Sequence, residues 1–150
     1  MAFLEKTDFS SVIRMYELDT ITANDDTLVD QAIEAAIEEV SGYFVPNDKK
    51  QWDDGRPHYD VEAIFNATGT NRNALMMANT KIVAIWHLLI LCNTGFEYEE
   101  AKDRYDRSTT YLKKLGAGEI NSRTLPRITV EPPEDELPFQ MGSRPKFNHE

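Results

Sequence analysis

The sequence predicts a mainly α-helical protein, a small bundle of about four helices followed by an extended C-terminal arm. Two observations carry this prediction. Apolar residues recur at helical spacing in successive segments up to about residue 120. Five of the seven prolines lie after that residue, and proline disfavours helix and sheet interiors. We therefore predict a helical body at residues 1–120 and a proline-rich arm at residues 121–150.

The first two helices are predicted from capping residues and apolar stripes. We expect a first helix at about 8–18, because Thr7 or Asp8 supplies a cap and apolar residues follow at helical spacing. A second helix at about 27–43 has Asp25 and Asp26 at its N-terminus, where carboxylates accept free backbone N–H groups. Its apolar stripe comprises Val29, Ala32, Ile33, Ala36, Ile37 and Val40.

A polar connector at 46–60, a short apolar element at 61–65 and two long helices complete the predicted body. The third long helix, at about 73–93 with Asn71 as its expected cap, is apolar from Ile82 to Cys92 except at His87. We therefore expect it to be buried on most sides. A fourth helix at about 97–115 carries one apolar stripe, and Gly116 is predicted to be its C-cap glycine.

The charge of the chain argues against several classes of function. Sixteen Lys and Arg against 26 Asp and Glu give a net charge of −10. Binding to nucleic-acid phosphates or to anionic lipid needs clustered Lys and Arg, so neither is expected. The single cysteine, Cys92, excludes an internal disulfide and a multi-cysteine metal site. With no signal-peptide pattern and no long enough apolar stretch, we expect a reducing interior and no membrane.

Motifs for catalysis and cofactor binding are absent from the sequence. It contains no GxxxxGK[ST], GxGxxG or HExxH pattern, so we predict no enzyme, no cofactor and no resident metal. His87 is interpreted as a hydrogen-bonded core or interface histidine. The loop with Asp53, Asp54, His58 and Asp60 does not fit an EF-hand, but it leaves a looser divalent-cation site open as an alternative.

The second predicted helix carries an acidic face. Asp30, Glu34 and Glu38 follow one another at a spacing of four, Glu39 is adjacent, and no Lys or Arg occurs from 25 to 43. Like charges at this spacing cost roughly a few tenths of a kcal/mol each. The face is either an ordinary solvated surface or a surface that meets a basic partner or DNA sliding past.

The predicted arm contains spaced apolar residues in a polar background. Ile128 and Val130 alternate around Thr129 as in a short strand. Further along, Phe139 and Met141 precede two basic residues and Phe147 follows them. A purely disordered tail rarely carries such anchors, so we predict that the arm orders on a partner, by strand addition or by occupying a groove. The predicted contact residues are Ile128, Val130, Phe139, Met141, Arg144, Lys146 and Phe147.

Six short segments and one helix, taken in order, resemble a known family. The chain has MAFL at 1–4 and TDF at 7–9, followed by YDVEAIF at 59–65 and RNAL at 72–75. Near the end of the body it has YLKK at 111–114 and GEIN at 118–121. The helix with Ile82, Ala84, His87 and Leu88 lies between them. Over residues 1–122 this order resembles the small head–tail connector proteins of Mu-like tailed phages and prophages. The loop at 46–58 and the arm fall outside the resemblance.

The resemblance implies a structural virion protein at the neck, made in the cytoplasm of the host bacterium. Such proteins form an adaptor ring, expected to have twelve copies, beneath the portal protein. The ring surrounds the DNA channel without specific DNA binding and offers a platform to tail or stopper proteins. Two alternatives remain from the residues alone. One is an acidic inhibitor or DNA mimic, and the other is a small metal-dependent hydrolase built on the 53–60 loop.

Overall fold

A computed structural model describes residues 2–45, 55–93 and 97–129, and these residues form a helical bundle. The predicted mainly α fold is confirmed, and the described residues contain no strand. The elements are α1 (Met15–Thr22), α2 (Asp26–Gly42), α3 (Val61–Phe65), α4 (Ala74–Cys92) and α5 (Tyr98–Ala117), with 3₁₀ turns at Lys6–Ser11 and Gly69–Asn71.

The core lies around α4, which packs most extensively against α2 and then against α5. The predicted apolar stripe of α2 faces inward, and all of its residues except the half-buried Ile37 are buried. Each large apolar side chain contributes roughly 1.5–3 kcal/mol when it is fully buried. The principal buried side chains are Leu4, Phe9, Leu18, Val29, Val40, Met76, Val83, Leu88, Leu112 and Leu115.

The first predicted helix is two elements rather than one, so the continuous helix predicted at 8–18 is wrong. Arg14 has an extended backbone (ψ 137°), which separates the first 3₁₀ turn from α1. Asp8 accepts the Glu5 N–H at 2.9 Å and pairs with Arg72 at 2.7 Å. These bonds hold Asp8 within the 3₁₀ turn and join the N-terminal segment to the start of α4, a tertiary requirement that local periodicity does not reveal.

Side-chain caps set the starts of both long central helices. Asp25 caps α2 as predicted, since its carboxylate accepts the Thr27 N–H at 3.0 Å. The cap of α4 is Asn73, which accepts two backbone N–H groups of the first turn. The prediction of Asn71 as this cap is wrong, because Asn71 ends the preceding 3₁₀ turn.

The C-terminal end of α5 differs from its prediction at two glycines. Gly118, not Gly116, is the C-cap; its φ is 82°, and its N–H donates to the Leu115 carbonyl. Gly116 lies inside the helix, where α5 meets the chain that leaves α2. A Cβ at this position would stand 2.0 Å from the Tyr43 carbonyl oxygen. Glycine is therefore required here for close backbone approach rather than for helix termination.

One side of α4 is open, contrary to the expectation that this helix is buried on most sides. On this side Leu75 is about half exposed, and Ile82 and Ile85 are half-buried. Ile90 and Leu91, in the last turn of the helix, are also about half exposed. The helix has 19 residues and a mean hydropathy of 1.7, which is long and apolar enough to cross a membrane by those two measures alone. The core helix of a bundle meets the same measures, and α4 packs against α2 and α5.

The first residues of the predicted arm are held against the body. Leu125 is buried, and the Ile128 N–H donates to the His58 carbonyl at 2.7 Å. One isolated antiparallel bridge joins Tyr59 to Arg127. The strand-like character predicted at Ile128 therefore appears as a single bridge within the chain. The domain boundary at residue 120 stays a prediction, and the described body contacts extend past it.

Replacing Gly116 with alanine tests the close contact between α5 and α2. The new Cβ would stand 2.0 Å from a backbone oxygen, so the backbone must shift to admit it, and we expect Gly116→Ala to lower the free energy of unfolding by about 1–3 kcal/mol. Gly42→Ala is the matched control, because no atom lies within 4 Å of its added Cβ. That variant should be neutral or up to about 1 kcal/mol more stable. Urea unfolding measures both, and equal effects would contradict the proposed contact.

Candidate interaction surfaces

The acidic face predicted on α2 is exposed at three of its four residues. Asp30, Glu34 and Glu38 are exposed on successive turns. Within the described ranges no cation pairs with them. Carboxylates one turn apart repel, and no base on α2 itself offsets that cost. The row is therefore a surface whose charge is available to a partner.

An open apolar surface borders this acidic row. It has a volume of about 550 Å³. Ile37 is half-buried there and Val45 is 51% exposed. Apolar surface beside a charged rim is the arrangement that protein-binding surfaces commonly show. The acidic row and this surface, lined by Glu34, Ile37, Glu38, Ser41, Gly42 and Val45, together form a candidate interface on the outer side of α2.

Glu39 differs from the other three acids because its carboxylate is turned into the bundle. One oxygen accepts the Tyr43 and Tyr105 hydroxyls, each at 2.6 Å, and the other lies 2.7 Å from His87 Nε2. These groups come from α2 and the residue after it, from α5 and from α4. Glu39 is therefore part of a junction between three helices, which we call the Glu39 cluster, and not of the exposed row.

The Glu39 cluster shifts the protonation of its members. Burial by itself would raise the pKa of Glu39, but the bonds from Tyr105, Tyr43 and His87 outweigh it and lower that pKa. Burial and the carboxylate acceptor raise the pKa of Tyr105 to about 12 and also raise the pKa of Tyr43. The carboxylate is thus charged and both phenols are neutral around pH 7, which is the state in which their hydrogen bonds are complete.

Aromatic rings extend the Glu39 cluster toward the surface. Trp86 stacks on Tyr105 with ring centroids 5.1 Å apart and also contacts Tyr98 at 5.2 Å. The Lys113 ammonium lies 5.5 Å from the ring centre of Tyr43. The interpretation of His87 as a hydrogen-bonded histidine is confirmed. The carboxylate already accepts from the two phenols and contacts the histidine, so the cluster orients helices rather than offering an unengaged base.

The residues proposed for a divalent-cation loop are only partly described. Asp53 and Asp54 lie outside the described residues. The Asp60 carboxylate accepts the Ala63 N–H at 2.9 Å and so caps α3. In residues 2–45, 55–93 and 97–129 there is no group of three or more His, Cys, Asp and Glu side chains that suits a metal ion.

Most predicted contact residues of the arm lie outside the described residues as well. Ile128 is described and is 51% exposed beside the His58 carbonyl that it bonds. The others are Val130, Phe139, Met141, Arg144, Lys146 and Phe147.

Sequence reasoning missed the partners of Glu39 because they are remote in the chain. His87 is 48 residues away and Tyr105 is 66 residues away. The available signal was the helical phase, because Glu39 lies one residue before the inward-facing Val40 of the α2 stripe. A carboxylate at the edge of an apolar stripe requires a hydrogen-bond donor. His87, a polar residue in an otherwise apolar helix, is the residue that the sequence offers as that donor.

Comparisons with known proteins gave no match: no protein-family profile, curated protein or solved structure matched this chain.

Neutralising Glu39 tests the three-helix junction. We expect Glu39→Gln to lower the free energy of unfolding at pH 7 by about 1–3 kcal/mol, because an amide cannot accept three donors as a carboxylate does. Folding lowers the pKa of Glu39. The ionised carboxylate therefore stabilises the folded protein above the unfolded pKa of about 4.3, and this stabilisation is lost as the pH falls through the lower pKa of the folded state. The deficit of the variant should therefore shrink below about pH 4.

The exposed neighbour provides the control for this measurement. Glu38→Gln should change the free energy of unfolding by less than about 0.5 kcal/mol. Urea unfolding of both variants from pH 3 to 8 makes the comparison. A Glu39 deficit that equals that of Glu38, or that does not depend on pH, would contradict the assigned role.

Proposed function

We propose that this protein is a head-to-tail adaptor subunit of a tailed phage or prophage, one of a ring of copies between the portal and the tail around the DNA channel. The observation that carries the proposal is the exposed row of Asp30, Glu34 and Glu38, with no base on the whole of α2. The ring and its partners come from the resemblance to connector proteins. The row explains how such a subunit stands beside DNA without holding it.

On the wall of a DNA channel, such a row of carboxylates would repel the phosphates of the passing DNA. Duplex DNA carries about one negative charge per 1.7 Å of axis, and carboxylates four residues apart on a helix recur about every 6 Å. At physiological salt the Debye length is about 8 Å, so the repulsion acts only on DNA that comes close. A lumen lined with these rows would keep moving DNA from adhering while leaving more distant partners unaffected.

In the same ring, the acidic row would alternatively contact basic residues of a neighbouring copy. Between 107 and 129 the chain has five bases and one acid, in contrast to six acids and no base between 25 and 45. Opposite charges on two parts of one subunit favour head-to-tail association between copies, which closes into a ring when the rotation between neighbours allows it. The exposed bases are Arg107, Lys113, Lys114, Arg123 and Arg127.

The remaining parts of the proposal follow from this role. Its partners are the portal protein, copies of the chain itself, expected to number twelve, and tail or stopper proteins. The protein would act in the virion neck after synthesis in the host cytoplasm, with no catalysis, cofactor, specific DNA binding or membrane attachment.

An acidic inhibitor or DNA mimic is the second candidate, and the same row favours it. Carboxylates at regular spacing on a rigid helix present charge to a basic, nucleic-acid-binding enzyme as a phosphate backbone does. This candidate predicts a monomer or dimer that captures such an enzyme in a salt-sensitive manner. The adaptor predicts instead a multi-copy complex that forms with a portal.

Removal of the arm tests the adaptor proposal. We expect a chain that ends at Thr129 to keep its helical circular dichroism, because every residue of the core cluster lies between Phe3 and Leu125. We expect it to lose association with the portal, which would be taken from the same gene cluster and purified with a tag. Co-purification and circular dichroism measure the two outcomes.

Two full-length variants make this test specific. The first replaces the apolar anchors Phe139, Met141 and Phe147 with alanine and should behave like the truncated chain. The matched control replaces the polar neighbours Gln140, Ser143 and Asn148 with alanine and should associate normally. Undiminished portal association of the truncated chain, or a gene cluster without a portal, would contradict the proposal.

A further inference from the structure

A groove with an apolar floor runs along the open side of α4. It lies between the N-terminal elements and α5 and encloses about 130 Å³. Leu89 is buried at its base, and the residues beside it are half-buried, so apolar atoms face solvent here. The apolar lining residues are Val12, Ile13, Ile82, Ile85, Leu89 and Ala101.

The rim of the groove is acidic. Glu17 stands on the side of α1, and Glu97 and Glu100 stand on the side of α5. Arg104 also lines the groove, but its guanidinium pairs with Glu100 one turn away. The rim therefore has an excess of negative charge over an apolar floor. Such a site suits a segment that combines apolar anchors with positive charge.

The chain itself contains a segment with this chemistry. Residues 138–149 include no acid, and they carry two bases, a histidine and three large apolar anchors. In an extended chain about ten residues separate Thr129 from the first anchor, a reach of roughly 33–36 Å. That reach exceeds the length of the 19-residue α4, which is about 28 Å. Thr124 is hydrogen-bonded to Asn73 at the start of α4, so the chain leaves the body near one end of that helix. The segment is therefore long enough to reach the groove of its own copy, or that of an adjacent copy lying within the same reach.

We infer that the groove along α4 binds the chain's own C-terminal segment, residues 138–149. Phe139, Met141 and Phe147 would cover the apolar floor, and Arg144 and Lys146 would meet the acidic rim. The open surface beside Glu34 on α2 is also acidic, but it is more open to solvent and has fewer apolar residues. The inference does not depend on a portal or on any other phage component.

The full chain tests the inference by photo-crosslinking. Phe147 is replaced by p-benzoylphenylalanine, which keeps an aromatic anchor, and the irradiated protein is digested and mapped by mass spectrometry. We expect crosslinks to peptides that contain Ile82–Leu89 or Val12–Ile13. A product of one chain mass assigns the groove of the same copy, and a product of twice that mass assigns a neighbouring copy; both support the inference.

Blocking variants make the result specific to the groove. Ala101→Phe fills it from the side of α5 and should reduce the crosslink at least about tenfold. Ala117→Phe, at an exposed position of the same helix, should leave the crosslink unchanged. Glu97→Lys should weaken it at low salt, whereas Glu62→Lys on α3 should not. Circular dichroism verifies the fold of each variant.

Three results would overturn the inference. They are the absence of any groove crosslink, crosslinks that map instead to α2 around Glu34, and an Ala101→Phe variant that crosslinks as well as the unmodified chain.

Discussion

The arrangement of the long helices depends on the hydrogen bonds that the half-buried carboxylate of Glu39 accepts. It binds groups from α4 and α5 as well as from the end of its own helix. A helix rotates by about 100° per residue, so fixing Glu39 inward also fixes where its neighbours point. The adjacent Glu38, with Glu34 and Asp30 on earlier turns, is held toward solvent. The internal junction and the external acidic row are thus two consequences of one helical phase.

Close packing at two further places sets the register of α5. Gly116 lets α5 approach the backbone carbonyl of Tyr43, and the side-chain hydroxyl of Tyr43 donates to Glu39. Ser108 donates to Asn79 at 2.7 Å in a buried bond between α5 and α4. Because buried polar groups are costly without partners, these bonds disfavour a slipped register more strongly than apolar contacts alone would.

Local features of the fold were predictable from the sequence, and features set by remote contacts were not. The stripe and the Asp25 cap of α2 depend on residues a few positions apart, and both predictions are confirmed. The break before α1 depends on Arg72, which is 64 residues from Asp8. The open side of α4 was missed because an all-apolar helix does not reveal how many neighbours cover it. In the candidate interface, the spacing of four residues predicts the acidic row of Asp30, Glu34 and Glu38. That Glu39 does not belong to this row is seen only in the folded structure, where its carboxylate is turned into the bundle.

We propose partners for two exposed features of the described residues: the acidic row would face DNA or a neighbouring copy, and the apolar groove would bind the C-terminal segment of the same copy or of an adjacent one. The mass of the complex that the full chain forms with its portal tests the proposed adaptor role. The adaptor account predicts portal rings that gain many 17.2 kDa subunits, in the number of a closed ring. Portal rings whose mass is unchanged in the presence of excess chain would contradict it.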